Sequence, residues 1–520
     1  MLFGLPTDIL QFMPPRPDRV LEQALLFTFL IHGIAMLSMA LLLLPGMPGG
    51  GVADDLARVR YIAAHPWLWR LGWLPWQLTA LSDLLVAAGL LRSPRIPKGP
   101  AIVTALVTLA AVLPDQAGQV AWITRGVPLA QSGDLQRYLE FEARIFEWTA
   151  VWGGTLYTVG ALGWTWCFAA AGLWSRVLTG VSLVLWPLFL WVNAGPLLPS
   201  ELRPSPAFVA GGNAAGFILL EAWFVLVGEQ VLRRRRPQTP HGRWAPWHHP
   251  RGRVARFLDP VANSRFVRAL GEWLPAPAFD SDITDVIYVN YLVDAAVLEP
   301  LVPPGLTLSR VGPDGRFAVF TFLSFRHGHF GPRLLGPLRV LLPSPIQTNW
   351  RIHVRDPKNG RDGIHFVTNA IASTVHALFA RLLSEAMPMH VLGRAELSRD
   401  REGLTLRLDP GSGSAPDAEG DFRRRSAPEE ADPWSAAFGS WNEMLAYTVP
   451  QDRALSTQPW HGRVTRQEIH LDIPLEACTP LEGRVQSRAA AALVGGAVPF
   501  SFHVEKVRFR FEGEAHDPMG

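Results

Sequence analysis

The chain has 520 residues, of which 48% are hydrophobic and 18% charged, and its formal net charge is +3. That length leaves room for more than one domain, the modest charge does not point to nucleic acid, and the two cysteines, Cys167 and Cys478, exclude a disulfide framework. The mean hydropathy of +0.14 averages two unlike parts, because residues 1–232 are rich in Trp and Leu whereas residues 276–515 have the mixed polarity of a water-soluble domain.

Residues 24–44, ALLFTFLIHGIAMLSMALLLL, run 21 positions without a formal charge. As a helix they reach roughly 31 Å, the thickness of a bilayer core of about 30 Å. The preceding stretch carries Asp8 and no compact basic start, and no small-residue cleavage site follows Leu44, so this segment reads as a retained helix and not a secretory signal. The pattern predicts about six spans: 24–44, 71–91, 101–123, 148–171, 177–198 and 208–232. Pro75, Pro114 and Pro187 fall in or beside them, which neighbouring helices accommodate. The positive-inside rule, decided by four arginines after the last span, predicts both termini and the C-terminal domain in the cytoplasm of a multi-pass cell-membrane protein.

Ionisable groups inside such segments point to function, since a central Asp costs about 2.5–3.5 kcal/mol while a Leu returns only about 0.5 kcal/mol. His32, Asp83 and Glu221 are the intramembrane candidates, with Asp115 beside Pro114 a weaker one. The alternative is that each is paired with a neighbouring helix. Tyr138–Glu147 reads as an interfacial helix leading into the fourth span.

Residues 233–275 form a basic juxtamembrane linker. Between Arg233 and Arg256 lie eight arginines, three histidines and no acid. Arg233, Arg234, Arg235 and Arg236, with Trp244 and Trp247 nearby, predict contact with anionic lipid headgroups, worth about 1 kcal/mol per basic residue. Residues 254–274 follow as a short amphipathic helix.

After Asp280, period-two runs separated by Gly, Pro and Asp predict a strand-rich domain over 276–515. Strands are expected at about 284–293, 316–325, 346–355, 363–371, 391–398, 403–408, 462–472 and 500–511. Helices are expected at 294–302, 374–386 and 436–447, and a mobile loop at 409–433. In IQTNWRIHVR, Ile346, Thr348, Trp350, Ile352 and Val354 share one face, and Gln347, Asn349, Arg351, His353 and Arg355 the other. One face belongs to the core; the other is wet or functional.

The succession VNYLVDAAVLEPLVPPGLTL, FAVFTFLSF, TNWRIHV and ARLLSEAMPMH resembles the acetoacetate decarboxylase-like superfamily, in its uncharacterised branch, over about 280–510. The resemblance implies an α+β chain whose C-terminal half is a β-rich barrel around a small apolar cavity. In those decarboxylases a lysine follows the proline that ends the helix. Here Pro388 is followed by Met389 and His390, and the chain's three lysines are Lys98, Lys358 and Lys506. Schiff-base chemistry, which needs an amine with a depressed pKa, is therefore not expected. The resemblance instead marks Asn349, Arg351, His353 and His390 as ligand-binding candidates, with Arg351 and Asn349 placed to hold a carboxylate. The alternative makes Arg351 and Arg355 outward ion-pairing residues and the histidines surface groups. No cofactor or metal is expected, because the spaced histidines His327 and His329, or His248 and His249, lack a third ligand.

These readings converge on a bundle of about six transmembrane helices joined to a cytoplasmic domain that binds a small carboxylated or apolar ligand. The alternatives are an enzyme acting without a Schiff base on a carboxylated or lipid-derived substrate, and a transporter regulated by the soluble domain.

Overall fold

The computed structural model describes residues 17–50, 54–233, 236, 238–401, 403–426, 434–450, 452–471 and 473–520. The chain divides into two compact units, Pro14–Arg235 and Arg236–Gly520.

The N-terminal unit is helical: α1 (Pro17–Ser38), α2 (Asp55–Ala64), α3 (Pro66–Arg92), α4 (Lys98–Ala121), α5 (Leu135–Phe146), α6 (Gly154–Ala170), α7 (Arg176–Ala194) and α8 (Pro206–Arg233). Among the described residues five helical stretches, Arg19–Gly46, Pro66–Arg92, Lys98–Gln131, Arg176–Leu197 and Ala207–Arg233, are long and apolar enough to cross a membrane. The segment expected at 148–171 is not among the five: it comprises the π-helical turn Glu147–Gly153 and α6, which has 17 residues, or about 26 Å. Small residues let the helices approach closely: a Cβ on Gly89 of α3 would lie 2.8 Å from Leu21 Cα of α1. Helix α2 is capped by Asp54, and its buried Arg58 grips Glu142 of α5 through two hydrogen bonds of 3.0 and 2.9 Å.

In the C-terminal unit the fourteen strands found among the described residues belong to one sheet. Beyond two two-residue pieces, the strands are β1 (Phe279–Asp294), β2 (Phe317–Arg326), β3 (Ile346–Asp356), β4 (Arg361–Ile371), β5 (Met389–Val391), β6 (Arg394–Arg399), β7 (Gly403–Asp409), β8 (Ala418–Arg424), β9 (Arg453–Gln458), β10 (Arg463–Leu471), β11 (Thr479–Gln486) and β12 (Pro499–Pro518). Pairing runs β1-β2-β3-β4-β9-β10-β12, and β12 pairs again with β1 from Phe279↔Phe511 to Tyr291↔Pro499, so seven strands return on themselves. A bulge at Asp285, whose φ is +53°, shifts the β1–β2 register and bends β1 between its two partners. Ala418–Arg424, expected in a loop, pairs with both β7 and β11.

The apolar face of β3 lies in the main core, where Trp350 stacks on Phe322 at 4.6 Å. A second cluster on the opposite face joins Ile283, Tyr288, Leu323 and Val504 to Met444 and Leu445 of helix α12 (Trp441–Thr448).

The strap that precedes the strands packs onto this unit. The expected single amphipathic helix is two, α9 (Gly252–Asn263) and α10 (Arg265–Gly271), parted at Ser264, whose hydroxyl caps the second. Trp244 and Trp247 are buried, and the Arg268 guanidinium lies 3.8 Å over the Trp244 ring. Arg381, buried on helix α11 (Thr374–Leu383), donates to the Ala262 carbonyl at 2.9 Å and the Ala245 carbonyl at 2.5 Å, bridging strap and sheet. Arg381→Met keeps the bulk but leaves both carbonyls short of a donor. We expect a loss of about 2–4 kcal/mol of stability, with faster amide hydrogen exchange confined to residues around 244–263.

Candidate functional site

Helices α11 and α12 pack on the ring of strands, and between its walls lies a cavity of about 470 Å³. Six of the seven ring strands line it, all but β9. The walls are apolar, with Phe279, Phe325, Phe366 and Phe511 among them. Among the described residues no Asp, Glu, Lys or Arg lines it, and the polar lining consists of Ser373, Ser384, Gln347, Asn349, Gln467 and His376 together with the Tyr288 ring.

The second face of β3 is buried as deeply as the first, and its polar residues serve two different surroundings. Gln347 and Asn349 face the cavity. Their orientation is set by a chain of hydrogen bonds. Gln347 Nε2 donates to Asn349 Oδ1 at 2.8 Å, so Gln347 Oε1 accepts from His327 Nε2 at 2.9 Å, which leaves His327 Nδ1 to accept from the Ser281 hydroxyl at 2.8 Å. Asn369 Nδ2 also donates to Asn349 Oδ1, at 2.6 Å. With its oxygen saturated, Asn349 presents its Nδ2 hydrogens to the cavity, and nothing among the described residues accepts them. On another wall Gln467 Nε2 donates to Ser384 Oγ and Glu514 Oε1 at 3.2 and 3.3 Å, while its buried Oε1 accepts nothing among the described residues. The site therefore offers one free amide donor, Asn349 Nδ2, within oily walls.

Further along β3, Arg351 and His353 leave the cavity. Arg351 is buried, donates to the Thr448 carbonyl of α12 at 2.6 Å and lies 5.8 Å from the Tyr288 ring; burial pulls it down to about 10. His353 packs on Tyr447 at 4.5 Å, and burial, then the Arg351 charge, pulls it down to about 3. Arg355 is exposed. His390 lies outside the cavity lining: its Nδ1 meets Ser414 Oγ at 2.7 Å, and Ser414 in turn accepts from the His248 backbone, so His390 fastens the strap. Burial is the main reason its pKa sits well below the ordinary histidine value.

The position that the resemblance gives to a lysine is held by Met389, which is buried and lines the cavity. Lys506 and Lys358 are exposed, the latter bonded to the Met519 carbonyl at 3.0 Å, and Lys98 is in α4. The turn after α11 is held by Glu514, which accepts from Ser384 Oγ at 2.5 Å and from the Glu385 amide at 2.9 Å. No three His, Cys, Asp or Glu side chains among the described residues are placed to hold a metal ion.

Sequence reasoning singled out Asn349 but passed over Gln347, Gln467 and His376. The signal for Gln347 was its place on the same period-two face, and for Gln467 its two-residue spacing from Ile469 and Leu471, which line the cavity with it. His376 carried no such signal. Its Nε2 donates to the Phe330 carbonyl at 3.1 Å, its Nδ1 accepts from Ser373 at 2.7 Å, and its ring stacks on Phe330 at 5.0 Å.

Of the headgroup-binding candidates, Arg233 is exposed at the end of α8, and Arg234 and Arg235 lie outside the described residues. Arg236 departs from the expectation: it is buried, ion-paired with Glu272 and packed at 5.3 Å from the Trp460 ring, because the aromatic strap supplies a closer partner than a headgroup would. In the helical unit, His32 Nδ1 donates to the Thr28 carbonyl at 2.9 Å and its ring packs against Phe217 and Phe224, which flank Glu221 on α8. Both Glu221 oxygens and Asp83 Oδ1 are buried and lack a hydrogen-bond partner among the described residues. Asp115 accepts from Gln119 and from the Tyr157 hydroxyl.

Residues 281–509 match the family DUF2071, described as an uncharacterized conserved protein. No curated relative matches the sequence. Solved structures similar to the C-terminal half include the acetoacetate decarboxylase of Legionella pneumophila (12% identity, TM-score 0.34, 47% of this chain and 88% of that one). Another is the enduracididine biosynthesis enzyme MppR complexed with pyruvate (15%, TM-score 0.33, 47% and 91%). A third is an acetoacetate decarboxylase-like enzyme of Sphingomonas wittichii (10%, TM-score 0.33, 48% and 95%).

The buried histidines make stability depend on pH. His327 and His353 are lowered to about 3 and His365 to about 4, each by burial. Unfolded, each takes up a proton near 6.5; between that value and its folded pKa the unfolded state binds more protons, so stability is full above about 7 and falls as pH drops below 6.5. Each histidine adds about 1.4 kcal/mol per pH unit to the slope. His353→Phe should flatten the slope by one proton in denaturant titrations at pH 4.5–6.5; an unchanged slope counts against its neutral burial.

Proposed function

We propose, taking residues 281–509 as a DUF2071 domain, that the C-terminal unit is a closed β barrel whose cavity binds a small, uncharged, mainly apolar molecule, held at a membrane by the N-terminal helices. The observation that carries this reading is the lining: about 470 Å³ of apolar wall with one free amide donor at Asn349 and no formal charge among the described residues. Pockets of this size and character hold small organic molecules. An ionised carboxylate placed there would lose its hydration with no cation to replace it. Arg351, the expected carboxylate partner, is occupied at the Thr448 carbonyl outside the lining, so the ligand class narrows from carboxylated or apolar to neutral and apolar. Asn349 donates to a hydroxyl, carbonyl or amide oxygen, and the phenylalanines cover the rest. Met389 supports binding over imine chemistry, since a thioether cannot form a Schiff base.

In the full-length protein in nanodiscs, octanamide and octan-1-ol should raise the melting temperature of the C-terminal unit, with octanoate at least tenfold weaker at neutral pH. Asn349→Leu should weaken octanamide about tenfold, the value of one hydrogen bond of about 1.4 kcal/mol. Octanoate binding as tightly as octanamide, or trapping of a β-keto acid by borohydride, would overturn the assignment.

A second reading concerns the helical unit. The buried Glu221 carboxyl and Asp83 Oδ1, without a hydrogen-bond partner among the described residues, favour a proton-coupled path between helices, since such groups are costly unless used. Proteoliposomes should then show a proton or solute flux that Asp83→Asn reduces tenfold or more. Undiminished flux in that variant removes Asp83 from the path.

A further inference from the structure

The cavity opens where three lining residues, Pro343, Val375 and Phe379, are exposed. Around that opening runs the segment 333–343, RLLGPLRVLLP, a 3₁₀ stretch kinked at Gly336, whose φ of +49° turns the chain between its two halves. Leu335 and Leu342 line the cavity. Their neighbours Leu334, Leu338, Val340 and Leu341 point outward and are, with Val375 and Phe379, 57–83% exposed. Both faces of this rim are therefore apolar. Between 334 and 343 the one charged residue is Arg339, and its guanidinium is tied to Asp280 at 3.3 Å.

Isolated exposed leucines are ordinary, but six large apolar side chains beside one opening mark an interaction site. We propose that this rim inserts into the surface of a lipid bilayer, so that the cavity is loaded from the membrane and not from water. The proposal rests on the cavity reading and adds the route of entry. Two observations favour a bilayer over another occupant. The same chain carries, among its described residues, helices long and apolar enough to cross a membrane, so lipid is a partner that the rest of the chain already suits. The charge is also complementary: α9, which packs on the rim helix α11, exposes Arg253 and Arg256 next to an exposed Phe257, the pairing of basic and aromatic groups that anionic headgroups attract.

The test uses the full-length protein in nanodiscs of 70% phosphatidylcholine and 30% phosphatidylserine. Cysteines are placed at Leu338→Cys, Phe379→Cys and, as a solvent control, Lys358→Cys, and labelled with a polarity-sensitive fluorophore; native Cys167 and Cys478 are buried. Nitroxide-labelled lipids should quench positions 338 and 379 at least threefold more than 358, and Arg253→Glu with Arg256→Glu should reduce that difference. Equal, water-like quenching at all three positions overturns the proposal. So does energy transfer between labelled copies at 338 with no lipid quenching, which would assign the rim to a second copy. Octanamide binding measured in detergent keeps the two readings apart: binding without lipid quenching sinks only the membrane route, whereas loss of binding sinks the cavity itself.

Discussion

Everything in the C-terminal unit depends on the pairing of β12 with β1, which brings the first and last strands of a seven-strand path together. Once that path returns on itself, a strand such as β3 has no outer, wet side to its polar face. Gln347, Asn349, Arg351 and His353 all become interior groups, and a buried polar group without a partner costs about 1–3 kcal/mol. The structure meets that demand by division. Near the opening the amides and His327 satisfy one another in a directed chain, and deeper in, the guanidinium is covered by the C-terminal turn of α12.

The division separates binding from support. A guanidinium lining the cavity would have selected anions. Spent on a backbone carbonyl, it anchors the helix beside which Tyr288 and His353 are packed. The direction of the amide chain decides what remains available. Because Asn349 Oδ1 receives two donors, its nitrogen and not its oxygen faces the cavity, and an acceptor on the ligand is required there. Protonation of His327 would add a donor at Nδ1 and require the Ser281 hydroxyl to accept there, leaving the bond to Gln347 Oε1 in place.

Much of this was legible from residue spacing. The alternation in IQTNWRIHVR located β3, both its faces and the cavity residue Asn349, and the apolar runs located five of the six expected membrane-length helices. What could not be read there was non-local. The sign of a period-two face, wet or enclosed, depends on whether β1 and β12, whose paired residues are more than 200 positions apart, close the ring. Arg351 and His390 carry the chemistry of ligand-binding groups, yet their partners, the Thr448 carbonyl and Ser414, are set by tertiary packing and not by spacing. Arg236 departs from the headgroup expectation for a related reason: within a run of eight arginines its spacing gives no sign that Glu272 and buried tryptophans claim it. The π-helical turn at 147–153 has no hydropathy signature.

Polar satisfaction is incomplete in both units. In the C-terminal unit His327, Gln347 and Asn349 share donors and acceptors in one chain, while the buried His353 Nε2 and Gln467 Oε1 lack a partner among the described residues. In the helical unit, Arg58 and Glu142 are joined in that way, but Glu221 lies between Phe217 and Phe224 on the α8 surface that packs against His32, with no partner for either oxygen among the described residues. A buried carboxyl met by an arginine braces two helices, as at Glu142, whereas one set among aromatic rings supplies no such brace.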